Sequence, residues 1–141
     1  TDIKEQEKLK GRTYNQHWVV FDKDDFPEND FNSAILLAQQ NGFEVAYSNQ
    51  AFEFWFLLHF NLYQGALHRS RYEKMLSALL GFAYTKKSGV SSKMFNTLFS
   101  KQEQAINHAK TIMRQFDGNN PAQQESSTTV HLLVKELNKF L

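Results

Sequence analysis

Three carboxylates, Asp22, Asp24 and Asp25, stand directly behind the apolar run Trp18-Val19-Val20-Phe21. A short run rich in β-branched and aromatic residues is the pattern of a strand buried on both faces. Acids crowded at the end of such a strand raise one another's pKa unless a cation neutralises them. A hard divalent ion such as Mg²⁺ suits carboxylate oxygens. The alternative is a strand followed by an acid-rich polar turn with no metal, since Asp is a common turn residue. A fourth acid, Glu53, lies in the nearly all-apolar segment Ala51 to Leu62. A carboxylate there is costly unless it is paired, hydrogen-bonded or metal-bound. Glu53 therefore reads either as a helix cap or Arg partner, or as a metal-site or general-base carboxylate. His59 follows six residues later, about 240° around an ideal helix from Glu53. The two reach one site only if the helix bends, so His59 reads as a packed histidine, with a catalytic role as the alternative.

The elements that must position these residues form a strand–helix–strand unit. His17 to Phe21 is the first strand, and Asp22 to Glu28 is a loop that Pro27 keeps out of a helix. Asn29 or Asp30 is placed to cap the next helix. Phe31, Ala34, Ile35, Leu37 and Ala38 give that helix one apolar face, and Gly42 stops it. Phe43 to Tyr47 is a second strand. Strands joined this way run parallel, and ligands bind beyond their carboxyl ends. Asp22, Asp24, Asp25 and Glu53 thus share one edge. Ala51 to Leu62 is apolar nearly all round, as in a buried helix. Helices are expected over Ser70 to Phe82, with Tyr72, Met75, Leu76, Leu79 and Leu80 inward, and over Lys93 to Phe116 in one or two pieces. Phe95, Leu98 and Phe99 mark the first of these pieces. A last helix starts near Ser126–Thr128, with Val130, Leu133, Val134, Leu137 and Phe140 on its apolar face.

The chain of 141 residues is long enough for one domain with a real core. Its net charge of +1 gives no global pull toward nucleic acid, so any such contact must be local. His68, Arg69, Arg71 and Lys74 form one basic cluster, and Lys86, Lys87 and Lys93 another. They read as solvated faces or as contacts to a phosphate backbone, with Tyr63, Tyr72 and Tyr84 available for base stacking. His17, His108 and His131 have no metal-ligand spacing. The absence of Cys removes zinc–thiolate and thiol chemistry and fits a reducing, cytoplasmic compartment. No apolar run reaches the roughly 18 residues of a membrane span. No Gly-rich phosphate loop or nucleophile elbow is present, which argues against ATP hydrolysis and acyl transfer. The charged start at Thr1, without Met, predicts a chain truncated at its N-terminus.

Taken together, the strand before Asp22-Lys23-Asp24-Asp25 and the run from Ser48 to Phe60 resemble the RloB-like family. So do Asn120-Pro121 and Ser126 to Leu133. The similarity covers most of the chain, with Gln50-Ala51 where the family commonly has Pro-Cys. The resemblance implies an α/β, Toprim-like fold: a small parallel sheet with flanking helices and a helical C-terminal half. It also implies prokaryotic defence against phage or plasmids, often beside an AAA-type ATPase. By the Toprim pattern, Asp22 and Asp24 match an Asp-x-Asp pair that holds Mg²⁺ or Mn²⁺ for phosphodiester chemistry. The early strand carrying the remaining Glu would then lie upstream of Thr1, and Glu53 would be a further ligand. A metal-dependent nuclease acting on DNA or RNA is the leading expectation. Arg69, Arg71, Lys74, Lys86 and Lys87 would hold its substrate. A non-catalytic ATPase partner and a generic α/β binding domain are the others. The last helix could also pack against a second copy.

Overall fold

The computed structural model describes residue 5 and residues 14–86, 90–116 and 120–141. The charged start of the chain, residues 1–12, lies, Glu5 apart, outside them. Strand β1, Trp18–Asp22, pairs in parallel with β2, Glu44–Asn49, from Trp18 opposite Glu44 to Asp22 opposite Ser48. Both strands run further than their apolar residues. Asp22 is the last residue of a strand, and its direction is fixed by the sheet.

Helix α1, Glu28–Gln40, connects the two strands. It starts at Pro27, with no side-chain cap from Asn29 or Asp30. Proline's fixed φ, here −55°, already suits a helix start, and Phe31 N–H bonds to the Pro27 carbonyl at 3.1 Å. Phe31 and Ile35 are buried against Val45 and Tyr47, whereas Leu37 remains largely exposed.

The expected purely parallel sheet is corrected to a mixed one of order β1-β2-β3. Strand β3 is Ser127–Thr128, antiparallel to β2, where the sequence periodicity suggested a helix start. Hydroxyl groups decide this. Thr129 Oγ1 accepts from Tyr47 N–H at 2.9 Å, and the Thr128 and Ser48 hydroxyls lie 2.9 Å apart. Ser and Thr side chains that bond to backbone compete with helix formation. The last helix, Val130–Asn138, begins only after these bonds are made.

The expected buried helix over Ala51 to Leu62 is also corrected. Helix α2 covers only Glu53–Leu57 and then tightens into turns, with His59 N–H on Phe56 O and Phe60 N–H on Leu57 O. Its side chains nevertheless form the core. Phe54, Leu57 and Leu58 are fully buried with Tyr72 and Leu76 of α3, Tyr72–Leu80. Helices α4, Val90–Leu98, and α5, Gln102–Met113, close the other side. A 3₁₀ turn, Phe99–Lys101, separates them. Phe95 and Phe99, which marked the first of these two helical pieces in the sequence, are exposed at 64% and 59%. In α6, the last helix Val130–Asn138, Val130 is buried, but Leu137, and Phe140 beyond its end, face solvent. Among the described residues no helix is long and apolar enough to cross a membrane.

Candidate active site at the strand ends

The carboxyl ends of β1 and β2 are bonded to each other. Lys23 N–H donates to Ser48 O at 3.0 Å, and Asp24 N–H donates to Gln50 O at 2.8 Å. Two residues turn left-handed to allow this: Asp24 at φ +46° and Gln50 at φ +91°. Asp tolerates that region, whereas a Gln held there stores local strain. Gln50 also accepts the Arg69 N–H on its side-chain oxygen at 2.9 Å. One strained residue therefore docks both the acidic loop and the segment carrying Arg69.

Asp22 and Glu53 line one cavity of about 510 Å³. The Asp22 carboxyl is held above the usual carboxylate range, first by burial and then by the negative charges of Asp24 and Glu53. A hydrogen bond from the Phe52 backbone and the charge of Lys86 act in the opposite direction. Glu53 sits in the first turn of α2 and is almost fully buried. Tyr84 Oη–H donates to its Oε1 at 3.0 Å, and Lys86 Nζ lies 3.2 Å from the same oxygen. The Glu53 charge pushes up the Lys86 pKa and adds to the burial that raises Tyr84.

Asp24 and Asp25 lie on a second, adjacent cavity that also reaches Glu53. Arg69 bridges them: its Nε is 3.6 Å from Asp24, and its Nη2 bonds to Asp25. This guanidinium holds the exposed Asp25 carboxyl below the usual range. Arg69, expected to contact substrate, is thus already engaged by the acids. Arg71 and Lys74 are exposed on the same segment, and Lys87 lies outside the described residues.

His59 lines the first cavity together with Glu53, because α2 ends after five residues and the chain turns. Its ring is buried, edge-on to Trp55 at 4.9 Å, with Nδ1 2.9 Å from the Trp55 carbonyl. Burial lowers its pKa, so it is neutral at pH 7. A proton on Nδ1 leaves Nε2 as an acceptor.

Among the described residues, no group of three or more His, Asp or Glu side chains is set to hold a metal ion. A closed, all-protein metal cage therefore does not fit. A Mg²⁺ site of the open kind does fit, because that ion usually takes one or two carboxylates and completes its shell with water and substrate phosphate. Asp22, crowded by two acids and with no ion pair among the described residues as short as those of Glu53 or Asp25, has the donor chemistry for it.

Sequence reasoning missed Tyr84 as the donor to Glu53, and Phe95 and Phe99 on the cavity rim. Glu53 in an apolar run did announce that a partner was required, but nothing local named it. The family description RloB-like protein matches residues 2–137, nearly the whole chain. No curated protein and no solved structure matches it.

Proposed function

The chain belongs to the RloB-like family, and we propose on that premise that it is a metal-dependent nuclease of anti-phage or anti-plasmid defence, hydrolysing phosphodiester bonds in DNA or RNA. The supporting observation is Asp22: a half-buried carboxylate at a strand end, its pKa raised by burial and by two further acids. Such perturbed carboxylates in a cleft are typical of working sites. Asp22, with Asp24 beside it, would hold Mg²⁺ or Mn²⁺. That ion, when bound, would polarise a phosphate oxygen and lower the pKa of a bound water. Glu53 faces the same cavity and would take the proton of the attacking water. Tyr84 and Lys86 fix its carboxylate in place for that step. Lys86, and Arg69 once released from Asp25, would bind the substrate backbone. Neutral His59 would accept a hydrogen bond on Nε2 at the cavity wall.

The test is incubation with plasmid DNA and with bulk tRNA, in Mg²⁺ or Mn²⁺, beside an Asp22→Ala, Asp24→Ala variant. Cleavage that disappears in the variant is the expected result. Cleavage that persists would refute the assignment.

One observation favours a second reading. The ion pairs of Asp25 with Arg69 and Glu53 with Lys86 neutralise the acids from within the chain. That suits a non-catalytic partner subunit of an AAA-type ATPase that keeps this core as a scaffold. That reading requires full defence activity after Asp22→Ala plus Glu53→Ala, with a stable ATPase complex.

A further inference from the structure

The lining of the cavity that holds Asp22 and Glu53 combines two chemistries. Asp22, Glu53 and Lys86 are charged. Phe52, Phe56, Phe95 and Phe99 are aromatic, and Phe52 and Phe56 meet edge to face at 5.4 Å. Phe95 and Phe99 are four residues apart, so they project from neighbouring positions where α4 runs into its terminal 3₁₀ turn. Their rings lie 5.3 Å apart and are tilted by 37°. Both leave more than half their surface in solvent, beneath which the buried Met94 and Leu98 already complete the core. Folding therefore does not need these two rings on the surface.

From this juxtaposition we infer that the site acts on unpaired strands, with a nucleobase of the substrate received against the exposed Phe95–Phe99 pair that lines the cavity. The inference rests on the nuclease reading and names its substrate class. A nucleotide combines the same two chemistries as the cavity lining, a flat π-face beside an anionic phosphate. The cavity volume falls within the range of about 300–1,000 Å³ typical of small-molecule sites. In an intact duplex each base face is covered by its neighbours, so a base reaches an aromatic wall only from a single strand, loop or end. Stacking uses the π-face that every base carries, so this subsite selects strand state and tolerates any sequence.

The experiment measures binding of labelled single-stranded DNA and RNA, and of matching duplexes, by fluorescence anisotropy. Ca²⁺ replaces Mg²⁺ so that the strands stay intact. Wild type should prefer the single strands. Phe95→Ala with Phe99→Ala should weaken single-strand binding about tenfold or more and leave duplex binding unchanged. Phe95→Trp should retain it. A 2-aminopurine in the strand should be quenched by wild type and not by the double alanine variant. Both positions are exposed, so the variants should fold as wild type does.

Equal binding of duplex and single strand would overturn the inference, as would a double variant that binds like wild type. Self-association of wild type that the double variant abolishes, with strand binding unchanged, would assign the rim to a second copy and also overturn it. The two readings fail separately. Cleavage lost in Asp22→Ala but indifferent to Phe95 and Phe99 removes the base subsite alone. Strand binding that depends on both rings, in a protein that cleaves nothing, removes the nuclease alone.

Discussion

Two polar regions meet at the end of β2 and are built in opposite ways. On the β3 side, Ser48, Asn49, Ser127, Thr128 and Thr129 are all at most 5% exposed and all neutral. The side chains of Ser48, Asn49, Thr128 and Thr129 make short bonds to backbone and hydroxyl groups. On the β1 side the polar groups are carboxylates: Asp24 and Asp25 are solvated and countered by Arg69, and Glu53 is buried and countered by Lys86. Neutral groups can be buried completely once they are hydrogen-bonded, whereas a charge keeps a large desolvation cost. The first region therefore holds the fold. The second keeps a half-buried carboxylate, Asp22, crowded by two further acids, at a cost to stability.

The contrast breaks first under substitution of the acids. Asp22→Ala with Glu53→Gln should cut Mg²⁺-dependent cleavage at least about a hundredfold while circular dichroism stays native. An unfolded variant would erase the distinction between the regions.

The two regions should also differ in the sign of their pH dependence. His131, beside the neutral seam, is buried and its pKa falls to about 4. A depressed histidine contributes stability that is present above its ordinary value near 6.5 and is lost as pH falls toward 4. Chemical denaturation should follow this loss, on the order of 3 kcal/mol across that window, and His131→Leu should flatten it. Asp22 acts oppositely. Its raised pKa gives stability that is present below the ordinary carboxylate value and lost as pH rises through the folded one.

Within the seam, Thr129→Val should cost about 1–3 kcal/mol in urea unfolding, because it strips the partner from the buried Tyr47 N–H. Cleavage per folded molecule should not change. At neutral pH Asp22→Asn should raise the melting temperature by roughly 2 °C and abolish activity, since it removes the crowded charge. The smallest effect belongs to Ser127→Ala. Its buried hydroxyl has no partner among the described residues, so the change should be near neutral, within about 0.5 kcal/mol. A large loss there would mean that the seam depends on a bond to water.

Much of the site was legible in the sequence because it rests on local features. An apolar run ending in acids marks a strand end, and the strand–helix–strand order puts two strand ends on one edge. Asp22 and Glu53 are therefore expected on one edge, and the structure has both lining one cavity. The partner of Glu53 was not legible, because Tyr84 is 31 residues away and only packing brings its hydroxyl to 3.0 Å. The end of the buried helix was missed for a related reason. A segment apolar on every side carries no periodic stripe to show where the helix stops, and the early stop is what brings His59 to the same cavity as Glu53.

The sequence by itself determined the α/β class, the parallel β1–β2 pair and the clustering of Asp22, Asp24 and Asp25. Side-chain period and chain order act over a few residues and need no distant partner. Only the tertiary structure decided that Ser127–Thr128 is a strand, that Arg69 is bound by the acids and that Phe95 and Phe99 face solvent. Each of these depends on which surfaces meet across long stretches of chain, and local pattern holds no record of that.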